Sequence, residues 1–431
     1  MLNPGQAINE LSHLVIGGCD VYELREQYGT PLYVMNEDVV RNNLKAYKNA
    51  FDRFYNSNGR AYFASKAFCC LEMCRIVKEE GLGLDVVSGG ELYTAMKAGF
   101  PANIINFHGN NKTYAELKAA IEYGVGKIIV DNLEELALID AIAGERGQKV
   151  SISMRIKPGV EAHTHDYIRT GQIDSKFGFA IENGEAINAA KETLKYNNLE
   201  LKGVHCHIGS QIFDLEPFED AAKIMLSFVK MLNDELSIKI EELNLGGGFG
   251  IKYTDSDNPK AFEEYIEAVS VTVKETCKKL DMEVPFVSVE PGRSIVGEAG
   301  TTLYTVGGVK VIPGIRTYIS IDGGMTDNIR YALYKSEYTV LNASKADAPC
   351  EMKVTVAGKC CESGDLIQEN VDIATTEVGD IIAVLSTGAY NYSMASNYNR
   401  IPRPAVVMVK DGKSRIIIKR ESYEDIIKND I

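Results

Sequence analysis

Eight short apolar runs, separated by longer stretches of helical period, occupy the chain from about residue 60 to residue 290. The runs are Ala61–Ser65, Leu84–Val87, Ile104–Phe107, Lys127–Val130, Val150–Ile156, Gly203–His207, Glu242–Leu245 and Phe286–Val289. Stretches between them, such as Leu71–Glu80, Gly90–Ala98, Tyr114–Tyr123 and Phe218–Leu232, repeat apolar residues at helical spacing and are long enough for a crossover. That alternation predicts parallel strands, because each helix returns the chain to the same end of the sheet. Eight such units in roughly 230 residues match a (β/α)8 barrel, for which about 250 is typical.

Beyond Gly292 the texture changes. Thr301–Val306, Thr317–Ile321, Glu351–Val356, Ile381–Leu385, Ala405–Val409 and Ser414–Ile418 are rich in Val, Ile, Thr and Tyr with Gly or Asp-Gly punctuation, which predicts a mostly β domain. Leu32–Met35, after Gly29-Thr30-Pro31, predicts one more strand that precedes the barrel and joins this second domain. The expected α/β architecture is therefore a TIM-like (β/α)8 barrel over residues 35–296, with a β-rich domain built from 1–34 and 297–431. A chain of 431 residues is long enough for two such cores.

Charge and cysteine content narrow the partners. With 60 Asp+Glu against 46 Lys+Arg the net charge is -14, so no basic footprint for nucleic acid is expected. No apolar run approaches the roughly 20 residues of a membrane span, and the start MLNPGQAINE has neither a basic nor an apolar leader segment. Nine cysteines include the vicinal pairs Cys69-Cys70 and Cys360-Cys361, which suit a reducing, cytoplasmic compartment. Cys69, Cys70 and Cys74 fall at helical spacing and are expected to be buried thiols.

In a barrel of this kind the chemistry sits where the strands end. Strand one ends at Lys66; strand two carries Asp85; strand five carries Arg155; strand six holds His205 and His207; strand seven runs into Gly246-Gly247-Gly248-Phe249-Gly250; strand eight ends Glu290-Pro291-Gly292-Arg293. Each has an ordinary explanation alone: a rim lysine, a tight turn, an ion pair. One ligand accounts for all of them. Pyridoxal phosphate needs a lysine amine for its aldehyde, backbone N–H groups for its phosphate, a flat group against its ring and a partner for its ring nitrogen. Lys66, the strand-seven glycines, His207 and Glu290 meet those needs. The competing reading is a barrel metallohydrolase, using His205 with His207 or His163 with His165; it needs a third ligand and a carboxylate base, and no metal is expected.

The strings YFASKAF, HCHIGSQI, NLGGGFG, EPGRSIVGEAG, CESGD and GAYNYSMASNYN resemble the fold-type III pyridoxal-phosphate decarboxylases, in the same order over nearly the whole chain. The resemblance implies an alanine racemase-like barrel plus β domain, working as a homodimer with active sites shared between subunits. It makes Lys66 the cofactor lysine, His207 the stacking ring and Glu290 the partner of the ring nitrogen. Ser210, Gly246, Gly247 and Gly248 would hold the phosphate, with the backbone of Gly292 and Arg293. Arg293, Arg330 and Tyr334 would clasp the substrate's far carboxylate, and Tyr390 would touch cofactor and substrate. Cys361, as proton donor, and Glu362 would reach across from the partner subunit. The activity implied is decarboxylation of meso-2,6-diaminopimelate to L-lysine, because ornithine and similar substrates have only an amine where the arginines expect an anion. Decarboxylation of ornithine, arginine or carboxynorspermidine is the alternative. Where many members read Arg-Pro, this chain reads Asp327-Asn328-Ile329-Arg330-Tyr331.

Overall fold

The computed structural model describes residues 2–160 and 175–431. The chain divides into two compact units: Leu44–Gly250 with Pro259–Gly292, and Met1–Asn43 with Ile251–Asn258 and Arg293–Ile431.

The first unit is the barrel. Its strands are Gly59–Ala64, Gly83–Val86, Ile105–Phe107, Lys127–Val130, Val150–Lys157, Leu199–His205, Glu242–Asn244 and Phe286–Val289. Every neighbouring pair is parallel, and the last strand pairs with the first, Val289 opposite Ala61, so the sheet closes. Strands such as Lys127–Val130 and Ile105–Phe107 are buried almost throughout, as strands covered on both faces must be. The helices between them bury one stripe each. Glu216–Leu236 turns Phe218, Ala221, Ala222, Met225, Val229 and Leu232 inward at intervals of one to four residues. Tyr114–Tyr123 begins at a capping box between Thr113 and Glu116 and ends at Gly124, whose φ of +79° suits a residue without Cβ.

Two differences from the sequence reading bear on the site. The first strand ends at Ala64, and Ser65–Ala67 forms a 3-10 turn that carries Lys66. The sixth strand spans Leu199–His205 rather than Gly203–His207, so His207 lies beyond it. The reason is backbone pairing: His205 is opposite both Asn244 and Arg155, and the ladder stops there.

The second unit is mostly β. Leu32–Asn36 is an interior strand of its sheet, antiparallel to Gly300–Ile312 and parallel to Ala405–Lys410. Arg316–Ile321, Met352–Ala357, Leu366–Ile373, Ile381–Val384 and Lys413–Ile418 extend the sheet. Leu366–Ile373 was not legible in the sequence, because LIQENVDI has polar residues at its centre and no clean alternation. No helix among the described residues is long and apolar enough to cross a membrane.

One buried ion pair braces the barrel. Lys112 Nζ, after the third strand, lies 3.0 Å from Glu135 Oε2 and donates to the carbonyls of Gly109 and Ile129, each at 2.7 Å. Lys112→Met should lower stability by about 3–5 kcal/mol, because Glu135 is left buried without its counter-ion. Lys112→Met with Glu135→Leu should recover part of that loss in chemical denaturation, the two carbonyls still lacking their donor.

Candidate active site

The strand ends of the barrel converge on Glu290. Its carboxylate is buried, with Oε1 2.7 Å from Asn244 Nδ2 and 2.8 Å from His108 Nε2, and Oε2 3.1 Å from His205 Nε2. Asp85 on the second strand stands behind His108, 3.6 Å from the same Nε2. Burial alone would push the Glu290 carboxyl up. The two imidazoles more than reverse this and hold it well below the usual carboxylate range. Asp85 has the opposite balance: burial dominates over the charge of His108 and pushes its carboxyl up to about 7. His205 is pushed down to about 4 by burial, against the pull of Glu290, and is a neutral imidazole.

The seventh strand delivers the glycine turn. Gly246 has φ +68° and Gly248 has φ +118°, conformations that favour glycine. A Cβ on Gly247 would stand 2.1 Å from the Glu290 carbonyl, and one on Gly248 would stand 2.5 Å from that of Gly209. The bare backbone therefore threads between the sixth and eighth strand ends. Gly247 donates its N–H to His207 Nδ1 at 3.3 Å, which makes that nitrogen the acceptor and leaves the ring neutral. Burial and the nearby Lys66 ammonium both push His207 well below its ordinary value. Phe249 anchors the turn by stacking on Phe218 at 5.0 Å. Across the turn Gly292 packs against Ala64 and Ala67, which flank Lys66; a Cβ there would meet both at 3.1 Å.

These residues fit pyridoxal phosphate. A cradle that side chains would fill, a neutral flat ring, a lysine on the adjoining turn and a buried ionised carboxylate are the four requirements derived from the sequence. His108, His205 and Glu290 also offer ligand atoms within 4.8 Å of one another. Those atoms already contact each other, and the Arg155 guanidinium bears on the same cluster, which disfavours a further cation. The His205–His207 metal pair does not form, since one ring turns to Glu290 and the other to Gly247. His163 and His165 lie outside the described residues.

A second cluster lies in the β-rich unit. The guanidinium carbons of Arg293 and Arg330, both buried, stand 4.9 and 5.4 Å from the centre of the Tyr390 ring. Arg330 also lies 5.1 Å from the Tyr334 ring, and Arg293 donates to the Tyr253 hydroxyl. Tyr390 itself has φ +69°, an uncommon conformation for a side chain of its size. Cys361 and Glu362 are exposed and join neither cluster through their hydrogen bonds: the Cys361 N–H donates to Asn399 Oδ1 at 2.7 Å, and Tyr398 donates to Glu362 at 3.4 Å. Asp365 shapes this loop by accepting from the backbone N–H of Cys360. Ser210 is half-buried, next to Gly209 under the glycine turn.

Sequence reasoning missed His108, Asn244 and Tyr253. His108 follows a predicted strand in NFHGNN and Asn244 ends the seventh strand at the head of NLGGGFG, so the strand-end rule would have found both; Tyr253 carries no comparable signal. Arg155 and Asp85, whose partners the sequence left open, belong to the buried charge cluster: Arg155 Nη1 is 3.9 Å from Asp131 and Asp85 faces His108.

The raised Asp85 carboxyl has a consequence for stability. Between pH about 4, where an unfolded aspartate ionises, and about 7, the folded protein keeps the proton that the unfolded chain releases. The contribution of Asp85 to stability therefore falls as pH rises through that window. Asp85→Asn should reduce the loss of the cofactor-free protein's unfolding midpoint between pH 5 and pH 7.5; an unchanged loss would contradict the assignment.

The family described as pyridoxal-dependent decarboxylase, pyridoxal binding domain, matches residues 37–297. A diaminopimelate decarboxylase of Bacillus subtilis (strain 168) is 50% identical over 423 residues, covering 98% of this chain and 96% of its own. The crystal structure of diaminopimelate decarboxylase from M. jannaschii in co-complex with L-lysine superposes with a TM-score of 0.93 at 38% identity, covering 100% of this chain and 99% of that one. That from Helicobacter pylori, also complexed with L-lysine, gives 0.86 at 32%, covering 95% and 98%. Identity of this extent across both compact units, on a fold that carries the lysine, the glycine turn and the buried glutamate, means that the chain belongs to the diaminopimelate decarboxylases among the pyridoxal-dependent decarboxylases.

Proposed function

We propose that the protein removes carbon dioxide from meso-2,6-diaminopimelate to give L-lysine, the last step of lysine synthesis, using pyridoxal phosphate held through Lys66. When bound, the cofactor supplies a conjugated ring able to accept the electron pair left on the α-carbon. Everything else is the work of the chain. Glu290, kept ionised, presents a carboxylate to the ring nitrogen and favours its protonated form. His207, kept neutral, offers a flat face without adding charge. Gly246, Gly247, Gly248, Ser210 and the backbone of Gly292 and Arg293 receive the phosphate.

The observation that carries the substrate assignment is the pair of buried guanidinium groups around Tyr390. Arg293 and Arg330 offer permanently charged, forked donors to a carboxylate remote from the reacting carbon, with Tyr334 and Tyr390 alongside. Holding that end fixes the rotation about the α-carbon and so the bond that breaks. Cys361, on an exposed loop, donates the proton that replaces the lost carboxyl group, and Glu362 accepts from the distal amine; both act in the active site of a partner subunit in a homodimer. The reading places the enzyme in the cytoplasm.

Purified protein with pyridoxal phosphate should release carbon dioxide from meso-diaminopimelate; release from ornithine with none from diaminopimelate would overturn the assignment. Arg330→Lys should lower kcat/KM for diaminopimelate by about tenfold to a hundredfold, the loss of one charged bidentate contact, and leave cofactor absorbance unchanged.

A further inference from the structure

Glu290 is the residue on which the cofactor reading turns, yet most of its acceptor capacity is already engaged by the protein. Oε1 receives Asn244 and faces His108; Oε2 receives His205. His205 bonds Glu290 through Nε2, so as a neutral ring its proton sits on Nε2. Its Nδ1 is then a bare acceptor, and it is buried without a hydrogen-bond partner. His108 differs. Its Nε2 stands between two buried carboxyls, 2.8 Å from Glu290 and 3.6 Å from Asp85, off the ideal line to either.

We propose that His108 is a positioning residue for the cofactor's ring nitrogen: its Nε2, 2.8 Å from Glu290 Oε1, pins that oxygen and confines the carboxylate's remaining acceptor capacity to Oε2. The inference rests on the cofactor reading above and deepens it. A carboxylate with one acceptor direction left can only receive a proton, so the ring nitrogen must arrive protonated to be bound. The groups that face His108 are Asp85 from the second strand, Glu91 from the helix after it, Arg155 from the fifth strand, His205 from the sixth and Glu290 from the eighth. Lys66 adds its charge through Asp85 and Glu91. Burial and Arg155 oppose protonation of His108; the carboxyls outweigh them, and its value is raised above that of an ordinary histidine.

Two measurements on the cofactor-free protein test this without relying on turnover. Histidine NMR should show one imidazole titrating above pH about 6.5, the ordinary value, and missing from His108→Gln. In Glu290→Gln the same resonance should titrate at lower pH. Should His108→Gln not fold, the resonance can be assigned in the parent protein through the His205 ring, 4.8 Å away. A His108 that titrates below the ordinary value, or ignores Glu290→Gln, overturns the proposal.

The second measurement compares pyridoxal phosphate with its 1-deaza analogue, which has the same aldehyde and phosphate but no ring nitrogen. His108→Gln should weaken binding of pyridoxal phosphate about tenfold, the scale of one bond to a charged group, while the analogue binds the variant and the parent equally. Equal loss for both ligands would mean that His108 merely shapes the pocket, and loss for neither would mean that it acts on nothing there. Failure of the cofactor reading looks different: the parent protein would bind neither ligand.

Discussion

A carboxylate held ionised in the interior of the barrel is the constraint from which the site follows. Burying a charge is expensive unless it is paired and hydrogen-bonded. Glu290 is accommodated because the third, sixth and seventh strand regions each bring one group to it: His108, His205 and Asn244. No two of these are close in sequence. Only a closed parallel sheet, with every strand ending on the same rim, brings them to one point. The cluster also sets its own charge, since Asp85 keeps its proton to about pH 7 while Glu290 loses its own far below that. Two carboxyls facing one imidazole are thereby kept from both being negative at mildly acidic pH.

The glycine turn solves a different problem. A backbone that approaches within 2.1 Å of where a Cβ would lie leaves no room for any side chain at Gly247, and the positive φ of Gly246 and Gly248 would strain one at either neighbour. The result is a backbone surface, steadied from below by Phe249 against Phe218 and by the Tyr265 hydroxyl on the carbonyls of Ile212 and Phe213, both 3.1 Å. The backbone groups that would receive a phosphate are therefore held by packing, and the N–H of Gly247 is turned to His207.

Much of this was legible in the sequence. Period and length gave the barrel, because strands such as Lys127–Val130 and Phe286–Val289 are short apolar blocks with unambiguous edges. Leu32–Met35 could be assigned to the β-rich domain because it precedes the first crossover helix, and it forms an interior strand of that sheet. The sixth strand was misplaced toward its C-terminal end because HCHI is as apolar as a strand, whereas the ladder is decided by partners on Asn244 and Arg155 that no local window contains. The same limit hid the charge cluster. Lys66, His207 and Glu290 sit in recognisable strings, but the pairing of His108 with a glutamate 182 positions later is a property of the closed sheet. Motif strings report what a ligand demands; the network that sustains them is written in tertiary contacts.

The cofactor reading rests on one covalent bond, in which the amine of Lys66 would condense with the aldehyde of pyridoxal phosphate. Borohydride reduction of the protein loaded with pyridoxal phosphate, followed by proteolysis and mass spectrometry, tests it most directly. The peptide containing Lys66 should carry a pyridoxyl group, and none should form when Lys66→Ala is treated alike. A label on another lysine, or no label on a protein that still decarboxylates diaminopimelate, would contradict it.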